Sequence, residues 1–241
     1  MQIYGKSDIG MMRSCNQDAF DTVILSDDAV LSIVCDGMGG ANAGNIASKV
    51  ATDTIKNYIL RSYSPKMSPS AIENLLRGAV DTANVEVYDM ASGNEDYKGM
   101  GTTAVVVLVV GDIAHILHVG DSRAYLVADE KIKQITRDHS LIQDMLDNGE
   151  VTEEQAKLHP KKNIITRAVG ILPQVDGEYN QIQFTSGVLL SCTDGLSGML
   201  SADEILQIVL NEKIDEVPDR LIDAANNLHS NDNVTITVVA R

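Results

Sequence analysis

Residues 103–119 read TAVVVLVVGDIAHILHV, and no other stretch restricts the fold of this chain so tightly. Two apolar runs are separated only by Gly111 and Asp112, a pair that favours a tight reversal, so the runs at 103–110 and 113–119 must lie side by side as an antiparallel hairpin. Neither run approaches the roughly 18 apolar residues a membrane-crossing helix needs. Further strand-like runs fall at 2–5, 30–35, 123–128, 179–184, 188–192 and 234–239.

Helical periodicity is clearest at 43–61 and 70–90, where Ile72, Leu75, Leu76, Ala79, Val80, Ala83 and Val87 recur on one face. Pro69 stands where a first-turn proline belongs. Shorter helices are expected at 141–146, 202–210 and 218–228. Long adjacent helices between runs of antiparallel strands give an α+β class, with helices packed on a sheet or on a two-sheet sandwich. No repeat or Pro/Ser-rich linker divides the 241 residues, so one domain is expected.

A formal net charge of -15 repels a polyphosphate backbone and makes nucleic acid a poor partner. The start, MQIYGKSDIG, lacks a basic segment followed by an apolar one, so no signal peptide is expected and a cytoplasmic protein is the simplest reading. The three cysteines, Cys15, Cys35 and Cys192, are odd in number and two lie in apolar runs, so they read as reduced thiols. No obvious pairing segment points to an oligomer, so a monomer is expected.

Three apolar strands end in a carboxylate: SIVCD at Asp36, ILHVGD at Asp121 and VLLSCTD at Asp194. Asp232 stands in the inverse position, just before NVTITVV. In an antiparallel sheet the start of one strand lies beside the end of its neighbour, so all four can meet at one end of the sheets. Taken singly, each also reads as an ordinary turn residue bonding its own backbone. If they meet, two such charges ~4 Å apart repel by roughly 4 kcal/mol at an effective dielectric of about 20, so the cluster must hold protons or cations. An all-Asp set suits Mg²⁺ or Mn²⁺ rather than zinc, and the absent side chain of Gly37 would let a backbone carbonyl approach an ion.

Other chemistries find no support. A thiol phosphatase needs Arg six positions after a Cys, but those positions hold Asp21, Ala41 and Gly198. No Gly-x-Ser-x-Gly elbow or Gly-x-x-x-x-Gly-Lys loop occurs, and GMGG at 37–40 lacks dinucleotide spacing. His115 and His118, three apart in a strand, lie on opposite faces and read as structural.

The blocks SDIGMMRSCNQDAF (7–20), CDGMGG (35–40), GTT (101–103), HVGDSRAY (118–125), TRDHS (136–140), NIITRAVG (163–170), SCTDGL (191–196) and DNVT (232–235) resemble, in order, the metal-dependent serine/threonine protein phosphatases of type 2C, in particular their compact bacterial members. The resemblance covers essentially the whole chain. It implies an antiparallel β-sandwich flanked by helix pairs, four layers αββα, with a flap over about 138–172. It also implies two Mg²⁺ or Mn²⁺ ions and a third, weaker position. By motif position Asp36 would bridge both ions and the water between them, Gly37 would offer its carbonyl, Asp194 and Asp232 would complete the pair, and Asp121 would serve the third ion. Asp18 would act through water and Arg13 would grip the substrate phosphate. The implied activity is hydrolysis of phosphoserine and phosphothreonine in proteins by that bridging water, opposing a Ser/Thr kinase. A weakly active phosphoprotein-binding domain and a two-metal phosphodiesterase are the rivals.

The chain departs from the pattern at Ala41, where many relatives carry a His proposed to protonate the leaving alcohol. Asn42 cannot serve as a general acid. Asn231 replaces a common Gly and alters only a turn.

Overall fold

The computed structural model describes residues 1–39 and 43–241. In chain order its strands are β1 (Gln2–Asp8), β2 (Asp18–Ser26), β3 (Ala29–Met38), β4 (Gly101–Thr102), β5 (Ala104–Val110), β6 (Ile113–Val119), β7 (Arg123–Ala128), β8 (Lys131–Gln134), β9 (Glu178–Gln183), β10 (Val188–Cys192) and β11 (Val234–Ala240). The helices are α1 (Gly44–Ser62), α2 (Pro69–Gly93), α3 (Leu141–Asp147), α4 (Glu153–Leu158), α5 (Asp194–Ser197), α6 (Ala202–Asn211) and α7 (Val217–Asn227). Among the described residues no helix is long and apolar enough to cross a membrane.

One sheet has the order β1-β11-β10-β7-β8 and the other β2-β3-β5-β6-β9, with β4 paired to the end of β3; every pairing is antiparallel. The central strands are largely apolar because both of their faces are covered. Along β5, Ala104, Val106 and Leu108 pack on α1 and α2, while Val105, Val107 and Val109 face the other sheet. On the opposite sheet Val234, Ile236 and Val238 of β11 and Leu190 of β10 pack with Ile205 and Leu221 of α6 and α7. The result is helix pair, sheet, sheet, helix pair, an α+β sandwich of four layers.

The helix starts are set by their caps. The Ser68 hydroxyl accepts from the Ala71 N–H with Pro69 as first residue of α2, and Ser201 with Glu204 forms a capping box on α6.

Besides the two-residue β4 and the single-turn α5, three elements lie outside the sequence expectations. In β2, DAFDTVILS, polar residues interrupt the apolar rhythm because this is an edge strand, half-buried along most of its length. β8, KIKQ, is a charged edge for the same reason. The short α4 carries a capping box from Thr152 and Gln155 that the sequence reading passed over.

Candidate active site

The position of Asp36 follows from strand parity. On β3 the odd residues Leu31, Ile33 and Cys35 face α1 and α2, so Val30, Ser32 and Asp36 point between the sheets. Ser32 meets Thr237 of the other sheet through hydroxyls 2.6 Å apart, and Asp36 occupies the same face at the open end. Asp18 is directly opposite Asp36 in the β2–β3 register and so shares that face. The backbone of Asp36 is fixed by three bonds. Its N–H donates to Thr103 Oγ1 at 2.9 Å, and its carbonyl accepts from the Thr103 N–H at 2.8 Å and from Thr102 Oγ1 at 2.9 Å.

The other carboxylates arrive at the same end. Asp121 follows Gly120, whose φ of 100° turns the chain out of β6, and a side chain at 120 would strike Thr103. Asp194 was expected to end a strand; instead β10 ends at Cys192, Thr193 is the N-cap and Asp194 is the first residue of α5. Asp232 precedes β11, its Oδ2 accepting from Arg13 Nη2 at 2.7 Å and its Oδ1 from the Asn233 N–H at 2.8 Å. Arg13 Nε also donates to the Asn231 carbonyl at 3.2 Å. Thr193 Oγ1 donates to Asp18 Oδ2 at 2.9 Å, tying one sheet to the other at the carboxylates.

The structure thus places Asp18, Asp36, Asp121, Asp194 and Asp232 within one another's fields, with Arg13 bonded to Asp232, although among the described residues no three of these carboxylates bring their oxygens within 4.8 Å of one another. Ala41 and Asn42 lie outside the described residues. Gly37 has a reason for its missing side chain that spacing alone does not show. A Cβ there would fall 2.0 Å from the Gly44 carbonyl oxygen and 2.5 Å from that of Gln17, so the start of α1 can close on β3 only over a glycine.

The cluster is electrostatically uncomfortable by itself. Burial, then the fields of Asp18, Asp194, Asp121 and Asp232, push Asp36 well above the usual carboxylate range. Burial raises Asp18 to about 7 against hydrogen bonds from Thr235 and Thr193. Burial and then Asp194 raise Asp121 to about 7, and burial and then Asp232 raise Asp194. Asp194 Oδ1 is buried without a hydrogen-bond partner. Oxygen ligands in mutual repulsion, one of them unsatisfied, fit hard divalent cations.

A consequence for pH follows. Groups raised from 3.8 to about 7 keep protons in mild acid, and a cation must displace them, so affinity falls as pH drops through about 7. Mn²⁺ binding is expected to release protons at pH 6 and few at pH 8.5, measured by calorimetry in buffers of different ionisation heat. Equal release at both pH values would contradict the site's electrostatics.

A second compact group, His118, His139 and Glu178, lies beside this site. His118 Nε2 bonds the Arg137 carbonyl at 2.7 Å, and the Gly120 N–H donates to His139 Nδ1 at 3.2 Å, leaving the His139 proton on Nε2. The two rings stack at 4.6 Å with only 19° between their planes, so their lone pairs run in nearly parallel planes and do not converge on an ion. Together with the His139 backbone N–H to the Gly120 carbonyl, these bonds brace the turn before Asp121. His115 Nδ1 lies 2.7 Å from the Tyr179 hydroxyl, in keeping with the structural reading of both strand histidines.

Several functional partners escaped sequence reasoning. Thr193 precedes Asp194 and Thr103 lies in the GTT block, but only the structure shows that they bond the Asp18 carboxylate and the Asp36 backbone. Asn233 also became visible only in three dimensions. Its Nδ2 donates to the Ile9 and Cys15 carbonyls and its Oδ1 accepts from the Gln17 N–H, clamping both ends of the loop that carries Arg13. From Asp121 and Asp194 a cleft of about 1150 Å³ runs between Leu146 and Ala156 on one side and Ser197 and Leu200 on the other.

Two stacked antiparallel sheets with half-buried carboxylates gathered at one end suit a hydrolase that works through divalent cations. A family model described as protein phosphatase 2C matches residues 10–224. The chain is 34% identical over 238 residues to the serine/threonine phosphatase stp of Listeria monocytogenes, covering 98% of this chain and 94% of that one. It superimposes with a TM-score of 0.93 on the serine/threonine phosphatase Stp1 from Staphylococcus aureus, at 35% identity over 100% of this chain and 94% of the other. The catalytic domain of the serine threonine protein phosphatase PstP in complex with two manganese ions matches at a TM-score of 0.85 and 28% identity, covering 98% and 96%. The chain belongs to the protein phosphatase 2C family.

Proposed function

We propose that the chain hydrolyses phosphoserine and phosphothreonine in proteins, with two Mg²⁺ or Mn²⁺ ions held by Asp36, Asp194, Asp232 and the Gly37 carbonyl. The observation that carries this reading is the meeting of Asp36, Asp194 and Asp232 at one end of the sandwich with Arg13 bonded to their rim. When bound, the ions supply the positive charge that makes a water nucleophilic near neutral pH and offsets the phosphoryl oxygens. Asp36 lies centrally among the carboxylates and suits the bridging position. Asp18, set behind it and held by Thr193, suits orienting a water. Asp121 with Asp194 suits a third, weaker ion.

Arg13 binds the phosphate. Its planar guanidinium pairs with phosphoryl oxygens, and its bonds to Asp232 and the Asn231 carbonyl hold it beside the carboxylates before substrate arrives. That preorganisation lowers the entropy cost of binding. Residues 138–172 form a flap whose α3 and α4 wall the cleft leading to Asp121, a place for the polypeptide around the phosphorylated residue. A cytoplasmic monomer opposing a Ser/Thr kinase completes the reading.

The test is phosphate release from a phosphothreonine peptide by purified protein in EDTA, Mg²⁺ or Mn²⁺. Turnover is expected with either cation and none with EDTA. Tight peptide binding without turnover under any cation would instead make this a binding domain.

A further inference from the structure

The loop between β1 and β2 carries, next to Arg13, two large apolar residues that the fold does not use. Met11 is 63% and Met12 74% exposed, and Ile9 at the loop's entry is 40% exposed. Other reversals in the chain carry polar pairs, Asp27-Asp28, Gly111-Asp112 and Asp129-Glu130, as turns normally do. A Met-Met pair in such a place leaves apolar surface in water with no return from packing. Scattered exposed apolar residues are ordinary, but here two are adjacent and one neighbours the phosphate-binding arginine.

The loop is also held rigidly. Asn233 clamps it at the Ile9 and Cys15 carbonyls, at 2.8 and 3.1 Å. Gly10, with a φ of 75°, presses so close that a side chain there would lie 2.2 Å from the Asp232 carbonyl oxygen, and its N–H donates to Asp8 Oδ1 at 2.8 Å. The turn displaying the methionines is thus seated on the backbone of a carboxylate of the candidate active site, and its side chains are presented without a large ordering cost.

From these observations we propose that Met11 and Met12 form a recognition platform for the substrate polypeptide, favouring proteins with a large apolar residue one or two positions from the phosphorylated Ser or Thr. This rests on the phosphatase reading and on Arg13 as phosphate ligand. Met12 adjoins Arg13 and Met11 precedes it in the same turn, so both apolar side chains belong to the loop that carries the guanidinium. Methionine is unbranched and polarizable, so the platform accepts Leu, Ile, Met or Phe rather than one shape. The chain's charge of -15 acts in the same direction by disfavouring acidic flanks.

The experiment compares matched phosphothreonine peptides with Leu or Ser placed next to the phosphothreonine, on either side, using wild-type protein, the double variant Met11→Ser/Met12→Ser and the variant Met12→Leu. Wild type is expected to favour a Leu peptide about five- to tenfold in kcat/KM, carried by KM, as expected for one partly buried apolar contact. The double variant should bring that ratio near one, and Met12→Leu should keep it. The ratio is internal to each protein, so a lower active fraction does not move it. No preference in wild type, or a preference surviving in the double variant, overturns the platform. Failure of the phosphatase reading looks different: wild type would then release no phosphate from any peptide or from para-nitrophenyl phosphate with Mn²⁺ present.

Discussion

Replacing Asp36 by Asn is expected to lower metal-dependent phosphate release by about a thousandfold or more, while raising the melting temperature of the chelated protein. The loss follows from position. Asp36 lies under the fields of Asp18, Asp194, Asp121 and Asp232, so on the proposed two-cation reading removing its charge weakens the hold on both ions. Loss of preorganised charge at a reacting centre costs on the order of 10²–10³ even for a single donor. The gain in stability has the same origin. Asp36 is partly buried and held above the usual carboxylate range, so its ionised form is a burden on the metal-free fold. An amide of the same shape removes that burden and can keep the backbone bonds to Thr102 and Thr103. For a chain of this size about 1 kcal/mol corresponds to roughly 2–4 °C, so a rise of a few degrees is expected. Phosphate release with Mn²⁺ and thermal unfolding in EDTA check both halves. A variant that keeps turnover would remove Asp36 from the metal site, and one that melts lower in EDTA would show that the carboxylate bears structural load.

The pairing of lost activity with gained stability also shows what the sequence could reveal. Asp36, Asp121 and Asp194, each closing an apolar run, and Asp232, leading one, stand out because those runs make their positions readable, although β3 itself continues to Met38 and Asp194 opens a helix. Asp18 is less legible from periodicity. It begins β2, whose Asp21, Thr22 and Ser26 hide the strand, and only the resemblance of its block pointed to it; the register opposite Asp36 is a product of tertiary pairing. The demand for glycine at 37 likewise arises between segments distant from one another, since its forbidden Cβ meets Gln17 and Gly44. Asp194 shows a local limit. Its apolar run leads straight up to it, yet β10 stops at Cys192, Thr193 is the helix N-cap and Asp194 opens α5, a change of direction that the apolar run does not announce. Side-chain networks such as Thr193 with Asp18 leave no periodic trace and needed the structure.

Removing Asp138 should be the most damaging change outside the metal-binding carboxylates. Arg123 gives its Nε to both Asp138 oxygens, at 2.9 and 3.0 Å, and its Nη2 to Oδ2 at 2.7 Å, while Nη1 reaches the Tyr125 hydroxyl at 3.1 Å. Gln134 Nε2 adds a bond to Asp138 Oδ1 at 2.9 Å. The Asp138 side chain is 9% exposed and that of Arg123 28%, so Asp138→Ala leaves a mostly buried guanidinium at the cleft wall without its counter-charge. Breaking a buried pair from one side costs about 3–5 kcal/mol, which at this chain length lowers Tm by roughly 6–20 °C. Electrostatics adds a functional effect. Arg123 already pulls Asp121 and Asp194 downward, and once released by Asp138 it competes with a cation for them, so more Mn²⁺ should be needed for half-maximal phosphate release. The double variant Arg123→Met/Asp138→Leu separates the charge from the packing. Replacing both members of a buried pair with apolar residues is often neutral, so it should recover most of the lost Tm. If the two single losses simply added in the double variant, the pair would not be coupled, and the cost would lie in the packing where α3 leaves the sandwich.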